Sequence, residues 1–502
     1  MKKTLSVVFT FIVCAGLLLS GCAATDKGTV AENGGSESKA GNTDGNKEQV
    51  TLTFWHRWPE SQPVFDRAIK EFEEKYPHIK IDLPSIASQQ YQAQIQAAIS
   101  GNDLPDIFAN HSSVPLDQLH QLDLIRELED VFTERKKEEF YEGTWTDGYT
   151  TMDGKVYAIP HFTPRRFAHV MFYNKDVLEN AGLTEQDVPK TWDELIAVGQ
   201  KIRENSPDDV YPLILGVKTD WLMTGFIGQM ATAISPEVIP NSGFNLKTGQ
   251  YEFNSAGYVE TIEFIKKLQD EKILHPNSLV INYREASSLF AGGKAAFVID
   301  GTFLTSELKL NNKFENFGVA PLPTKDGKPQ YYAFQGETKA SVHVNKNTKH
   351  YEEVKLFLNF YMDRIYELQL QMGVEGSPII EQNENTKVDD PQFLKAQQIQ
   401  DETFILSPQP YTRNPAAIRV NTELNGRKPK ETVGKILEGY LAGQFSDLKS
   451  MLTQYTDNYN KAMQESIAKV QSSGAAISQS DYQFPNWIPF TPYTKEKYDE
   501  LK

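Results

Sequence analysis

Cysteine is nearly absent: the 502 residues hold two, Cys14 and Cys22, both at the amino terminus. The body after Cys22 therefore has neither a disulfide nor a free thiol, and its core alone must hold it together. Basic charge is short as well. Fifty-one Lys and Arg face 67 Asp and Glu, a net charge of -16. That balance excludes a nucleic-acid partner and a membrane contact through a basic patch. After the first 20 residues no apolar run is long enough to cross a bilayer. There is no H-E-x-x-H, no G-x-S-x-G, no G-x-G-x-x-G, and Gly292-Gly293-Lys294 lacks the earlier glycine of a phosphate loop. No metal and no cofactor is expected. A chain with this many carboxylates always offers some pair at glycosidase spacing, so their number is no evidence for catalysis.

What is present begins at the first residues. Lys2 and Lys3 precede an apolar run from Val7 to Leu19, broken by Thr10, and Leu19-Ser20-Gly21-Cys22 follows. Such a pattern is a secretory signal, residues 1–21. Leu-Ser-Gly-Cys resembles the lipobox of bacterial lipoproteins, which implies cleavage before Cys22 and acylation of its thiol. Loss of residues 1–21 removes Lys2 and Lys3 and deepens the charge from -16 to -18. Residues 23–49 contain Gly, Ser, Asn, Lys and Glu and no aromatic, too little to bury. Residues 22–49 therefore read as a lipidated cysteine and flexible linker. The resulting location is the outer face of the cell membrane.

A folded body starts at Val50. Val50, Leu52 and Phe54 alternate with Thr51, Thr53 and Trp55, a strand pattern. Val64, Phe65, Ala68, Ile69, Phe72 and Tyr76 share one helical face, and residues 79–83 and 105–109 read as further strands. Thr191-Trp192-Asp193-Glu194 has capping-box spacing, Ser255 can cap a helix, and residues 283–291 form a helix ending at Gly292. Residues 170–173 and 295–299 complete an alternation that predicts an α/β fold.

Several segments in order carry a family resemblance: Thr53-Phe54-Trp55, Phe72-Glu73-Glu74-Lys75-Tyr76-Pro77, Gly101-Asn102-Asp103-Leu104-Pro105-Asp106-Ile107, Gly154 to Pro160, Phe172-Tyr173-Asn174-Lys175, Pro189 to Leu195, Phe290 to Ala296 and Phe317 to Pro323. The series resembles extracellular solute-binding proteins of ABC importers, in the sugar-binding branch that includes maltose-binding protein. The resemblance implies a two-lobe, hinged fold of the type II periplasmic-binding-protein class, with ligand in the cleft between the lobes. It places chain crossings near 160–164, 317–321 and 373–378. Lobe one is then 50–161 plus 318–372, and lobe two 163–317 plus 375–502.

Ligands of open α/β sheets sit beyond the carboxyl ends of the strands. The loops there carry Trp55, His56, Arg57 and Trp58, then His111, then Asp300 and Phe303. Indole faces suit the C–H faces of a sugar ring, and charged or amide groups suit its hydroxyls. Trp55 and Trp58 fit a core role or a cleft role, and their loop position favours the cleft; His111 fits a structural role or a ligand contact. Arg165 and Arg166 adjoin the first crossing, as an interlobe salt bridge or a ligand contact. Trp221 lies where no helical period is evident, which suits a stacking platform in a loop. The resemblance adds Gln335 and Glu337 from a glycine-containing loop, and Tyr411 and Arg413 from the late segment.

Together these features predict a non-enzymatic, monomeric, lipid-anchored receptor that captures a carbohydrate, an oligosaccharide, and passes it to a membrane permease. The arginines leave room for a charged sugar. A secreted polysaccharide-active enzyme and a ligand-binding sensor component are the competing classes.

Overall fold

The computed structural model describes residues 48–501 except 85, 87, 112, 133–136, 166–167, 241, 329–331 and 335–339. The signal, Cys22 and nearly all of the linker lie outside the described residues. From Glu48 on, the chain is one compact unit built on two sheets.

In lobe one the strands run in the order Ile79–Asp82, Val50–Trp55, Ile107–Ala109, Ser341–Val344, Ile159–Pro160. The first three are parallel, with Val50 opposite Ile79 and Phe54 opposite Ile107. Ser341–Val344 runs antiparallel to both neighbours. Leu52 and Phe54 point into the core, where the helix Gln62–Lys75 lays Val64, Phe65, Ala68 and Phe72. In lobe two the order is Phe317–Ala320, His169–Asn174, Ala295–Gly301, Tyr211–Ile214. Every residue of the two central strands is buried, because helices cover both faces. Thr191 caps the helix Trp192–Asn205 through the expected box, its hydroxyl accepting from the Glu194 amide at 3.1 Å. Ser255 stands at the start of the helix Ala256–Asp270, but its hydroxyl makes no capping bond.

Packing moves two of the expected crossings. Phe317–Ala320 pairs with His169–Asn174, Leu322 joins the core of lobe two, and Thr324 bridges to Thr191. Residues 318–324 thus go with lobe two, and the chain returns to the first sheet only at Ser341. The reason is local: Phe317 and Val319 alternate inward and complete an edge of the second sheet. Residues 375–385 stay with lobe one, where Ile379 is buried and the Ile380 amide donates to the Glu139 carbonyl at 2.9 Å. The last crossing therefore falls at 386–390. Beyond it, the helix Pro391–Thr403 packs Ala396 and Ile399 against Val170 and Val319.

The carboxy-terminal part holds a core of its own. Tyr411, Val420, Leu424, Met463, Ile467 and Trp487 close over Ile239, Phe244 and Leu246 of lobe two. The first crossing is anchored in lobe one by His161, buried against Trp58 and Phe65 with its Nε2 3.0 Å from Ser61 Oγ and its Nδ1 bonded to the Tyr361 hydroxyl. Among the described residues no helix is long and apolar enough to cross a membrane.

Candidate functional site

The rim of lobe one is built by the loop after Val50–Trp55. That loop turns inward twice. Trp58 is 3% exposed, its ring stacked on His161 at 4.0 Å and edge-on to Phe162 at 5.9 Å. His56 is buried against Phe65, with Nε2 2.9 Å from Gln62 Oε1, and desolvation holds its imidazole below the ordinary range. Both expectations of a cleft role are corrected: these two side chains belong to the core. Trp55 is half-buried against the same core.

Arg57, between them, is half-buried at the rim, its Cζ 5.5 Å from the centre of the Trp58 ring. Its Nε donates to the Asn110 carbonyl at 2.6 Å and an Nη to Asn110 Oδ1 at 3.3 Å, while the same Oδ1 accepts the Ser341 amide at 3.1 Å. Arg57 and Asn110 thus tie together three strand ends of one sheet. His111 is next in line. Its Nδ1 accepts the Ser113 amide at 3.1 Å and lies 2.7 Å from Ser113 Oγ, so a neutral ring carries its proton on Nε2. Burial and the nearby Arg57 both lower its pKa, which favours that neutral form. Glu60, on the single turn Pro59–Ser61, completes this rim. The sequence reading missed it, although a carboxylate two residues beyond Trp58 was a visible signal.

The rim of lobe two is aromatic. Trp221 is 53% exposed, with its ring centre 6.1 Å from Tyr283 and 6.1 Å from Phe303. Tyr283 and Phe303 meet edge to face at 5.9 Å. Trp221 sits in the first turn of the helix Asp220–Thr232, not in a loop, which corrects the expectation for that stretch. Two glycines allow the cluster. A Cβ on Gly216 would stand 2.5 Å from the Tyr283 backbone, and one on Gly301 would stand 2.4 Å from the Phe303 ring. Close approach brings Thr219 Oγ1 to the Tyr283 amide at 2.9 Å. The sequence marks Tyr283 only as the start of a helix; its partner Trp221 lies 62 residues away, so no local pattern announces the pair.

Asp300 does not face solvent as expected. It is buried beneath the platform, its Oδ1 accepts the Gly301 amide at 2.7 Å, and burial raises its pKa well above the usual carboxylate range. Burial also lifts the Tyr283 phenol, and the charges of Glu60 and Asp300 push it the same way. Glu60 acts on Arg284 too, with Tyr283 and Glu307, against desolvation. Charge on the lobe-one rim is therefore felt by lobe two. Arg284 donates from Nε to the Tyr283 hydroxyl at 2.9 Å.

The remaining candidates separate from this site. Arg165 pairs with Asp401 at 3.3 Å and lies 5.0 Å over the Tyr141 ring, at the hinge. Tyr411 is buried in the carboxy-terminal core near Tyr149. Arg413 donates to the carbonyls of Ser480, at 2.7 Å, and Gln483, so it fastens the last segment of the chain. Neither is a cleft residue: Tyr411 packs into a core that includes Ile239 and Phe244, and the acceptors of Arg413 lie beyond residue 470, where the late motif does not reach. Arg166, Gln335 and Glu337 lie outside the described residues. Among the described residues, no group of three or more His, Cys, Asp or Glu could hold a metal.

Known proteins resemble this chain in sequence and in fold. The arabinooligosaccharide-binding protein of Bacillus subtilis is 27% identical over 380 residues, covering 72% of this chain and 76% of its own. The polygalacturonan/rhamnogalacturonan-binding protein YtcQ of the same organism is 24% identical over 388 residues, 74% of this chain and 73% of its own. Among solved structures, the GacH receptor of Streptomyces glaucescens, studied unliganded and with acarbose, superimposes with a TM-score of 0.64 at 16% identity, over 83% of this chain and 99% of that one. The maltose/maltodextrin-binding domain MalE of Bdellovibrio bacteriovorus, bound to maltotriose, gives 0.60 at 20% identity, over 82% and 99%. These likenesses establish the two-lobe fold. The bacterial extracellular solute-binding protein model matches residues 58–364, more than half of the sequence, and the chain belongs to that family.

Proposed function

We propose that the protein captures an oligosaccharide between its lobes and delivers it to the permease of an ABC importer. The observation that carries this reading is the Trp221–Tyr283–Phe303 cluster on one lobe, answered on the other by Arg57, Asn110, His111 and Glu60. Aromatic faces take the apolar faces of sugar rings, and a few placed polar groups take the hydroxyls, the usual division of labour in a small-molecule site. Three crossings of the chain suit hinge closure. Relatives named for arabino-oligosaccharide and polygalacturonan binding support the carbohydrate class. The family is one of binding proteins, so the work is capture rather than catalysis.

Isothermal calorimetry of the purified protein against neutral and uronate oligosaccharides tests this. Binding of at least one, weakened in W221A, is expected; binding of an amino acid, peptide or metal instead overturns the carbohydrate assignment. We assign the anchor to Cys22, with residues 23–49 as the tether and a monomeric body. Cys22→Ala is expected to release the protein into the medium with sugar affinity unchanged.

A further inference from the structure

A cavity of about 460 Å³ opens at the hinge and shares no lining residue with either rim. Its walls include Tyr141 of lobe one, Arg165 at the first crossing, and Phe393, Gln397, Gln398 and Asp401 of the helix Pro391–Thr403. The volume is that of a small-ligand pocket. The Arg165–Asp401 contact, at 3.3 Å, is longer than a tight charge-assisted bond of about 2.7–2.9 Å, so both groups keep bonding capacity for a third. Burial raises the pKa of both Tyr141 and Asp401, so the lining is already partly stripped of water.

Gln400, itself fully buried, forms part of this lining. Its Nε2 donates to the Arg165 carbonyl, and its Oε1 accepts from Thr302 Oγ1 at 3.3 Å. Thr302 lies between Asp300 and Phe303, in the loop that carries the aromatic platform. One side chain therefore joins the cavity wall to the cleft.

We propose that the hinge cavity is a second binding site for a small neutral polyol of monosaccharide size, coupled to the cleft through Gln400. A guanidinium beside a carboxylate presents donors and acceptors at the spacing of neighbouring hydroxyls, the glutamine amides add more, and Tyr141 and Phe393 offer ring faces. Arg165 is offset by Asp401 and the lining also carries Glu402, so its net charge is negative, which disfavours an anion and leaves a neutral polyol as the fitting occupant. The cavity is walled by both lobes and by a crossing, so an occupant alters the cleft, and a cleft ligand alters the cavity by the same factor. The proposal stands apart from the oligosaccharide reading, which concerns different residues.

The test uses the full mature protein with L-arabinose and D-glucose as probes at millimolar concentration, followed by saturation-transfer difference NMR. Transfer to at least one probe is expected in the wild type and in W221A/F303A, where the cleft is disabled, and a loss of about fivefold or more when L394W is added to that double variant, since Leu394 is an exposed residue of the cavity wall and a larger ring there fills it. Q398W serves if L394W fails to fold. Transfer that vanishes in W221A/F303A, or survives in both filling variants, overturns the second site. For the coupling, a probe-induced change in Trp221 fluorescence, obtained as the difference between wild type and W221F, is expected to disappear in Q400L while transfer persists. A fluorescence change that survives Q400L overturns the coupling.

Discussion

The two rims of the cleft start from similar residues and treat them in opposite ways. Lobe one offers two tryptophans and a histidine within four residues, yet turns Trp58 and His56 into its core and leaves Arg57 half-buried on Asn110. Lobe two gathers three aromatics from distant segments and keeps Trp221 half in water. The difference teaches that residue type does not decide whether an aromatic binds or packs. What decides is how deeply the ring is covered: Trp58 has His161, Phe162 and the core of the sheet under it, while Trp221, beside Tyr283 and Phe303, stays 53% exposed.

Substitutions can break this contrast. Trp58→Ala is expected to cost about 3–5 kcal/mol of stability, the range for emptying a packed aromatic site, measured by urea or thermal unfolding. A loss as small as that of a surface change would place Trp58 on the cleft after all. Gly301→Ala comes next, with about 1–3 kcal/mol lost to overpacking against Phe303 and a parallel fall in sugar affinity as that ring shifts. Trp221→Ala is expected to change stability by no more than about 0.5 kcal/mol. It should nonetheless weaken sugar binding by about tenfold, or about 1.4 kcal/mol, by calorimetry. The two tryptophans would then have exchanged consequences, one felt in folding and the other in binding.

Titration sharpens the comparison further, with smaller effects. Each lobe buries a histidine in its sheet, His343 in lobe one and His169 in lobe two, and desolvation takes each from 6.5 to about 4. The folded state resists their protonation and the unfolded chain does not. Stability from both is present above pH 6.5 and is lost as pH falls toward 4. Replacing either by Gln should flatten the acid limb of a Tm-against-pH curve. Asp300 has the opposite sign, since its folded pKa is raised: its contribution is complete below its unfolded pKa near 3.8 and is lost as pH rises through the folded value. Asp300→Asn should therefore raise Tm at pH 7 and change it little in acid; a lower Tm at pH 7 would mean that the carboxylate is needed ionised.

Much of the fold is legible in the sequence because it is locally determined. The strand Val50–Trp55 alternates, the helix Gln62–Lys75 has one apolar face, and the Thr191–Glu194 box declares its own helix start. The rims are less legible because their contacts are remote. Trp221 lies 62 residues from Tyr283, and Arg57 lies 53 residues from Asn110. The crossings misread at 317–321 and 373–378 share one cause. A strand at a sheet edge and a helix lying on a lobe look, in sequence, like the connectors beside them.

The seat of His161 has a mechanical consequence. A joint whose fixed half is a stack of rings bolted to a serine and a tyrosine has little play on its lobe-one side. Such a bearing returns to the same stop after every cycle, and the gap presented to one guest is the gap presented to the next.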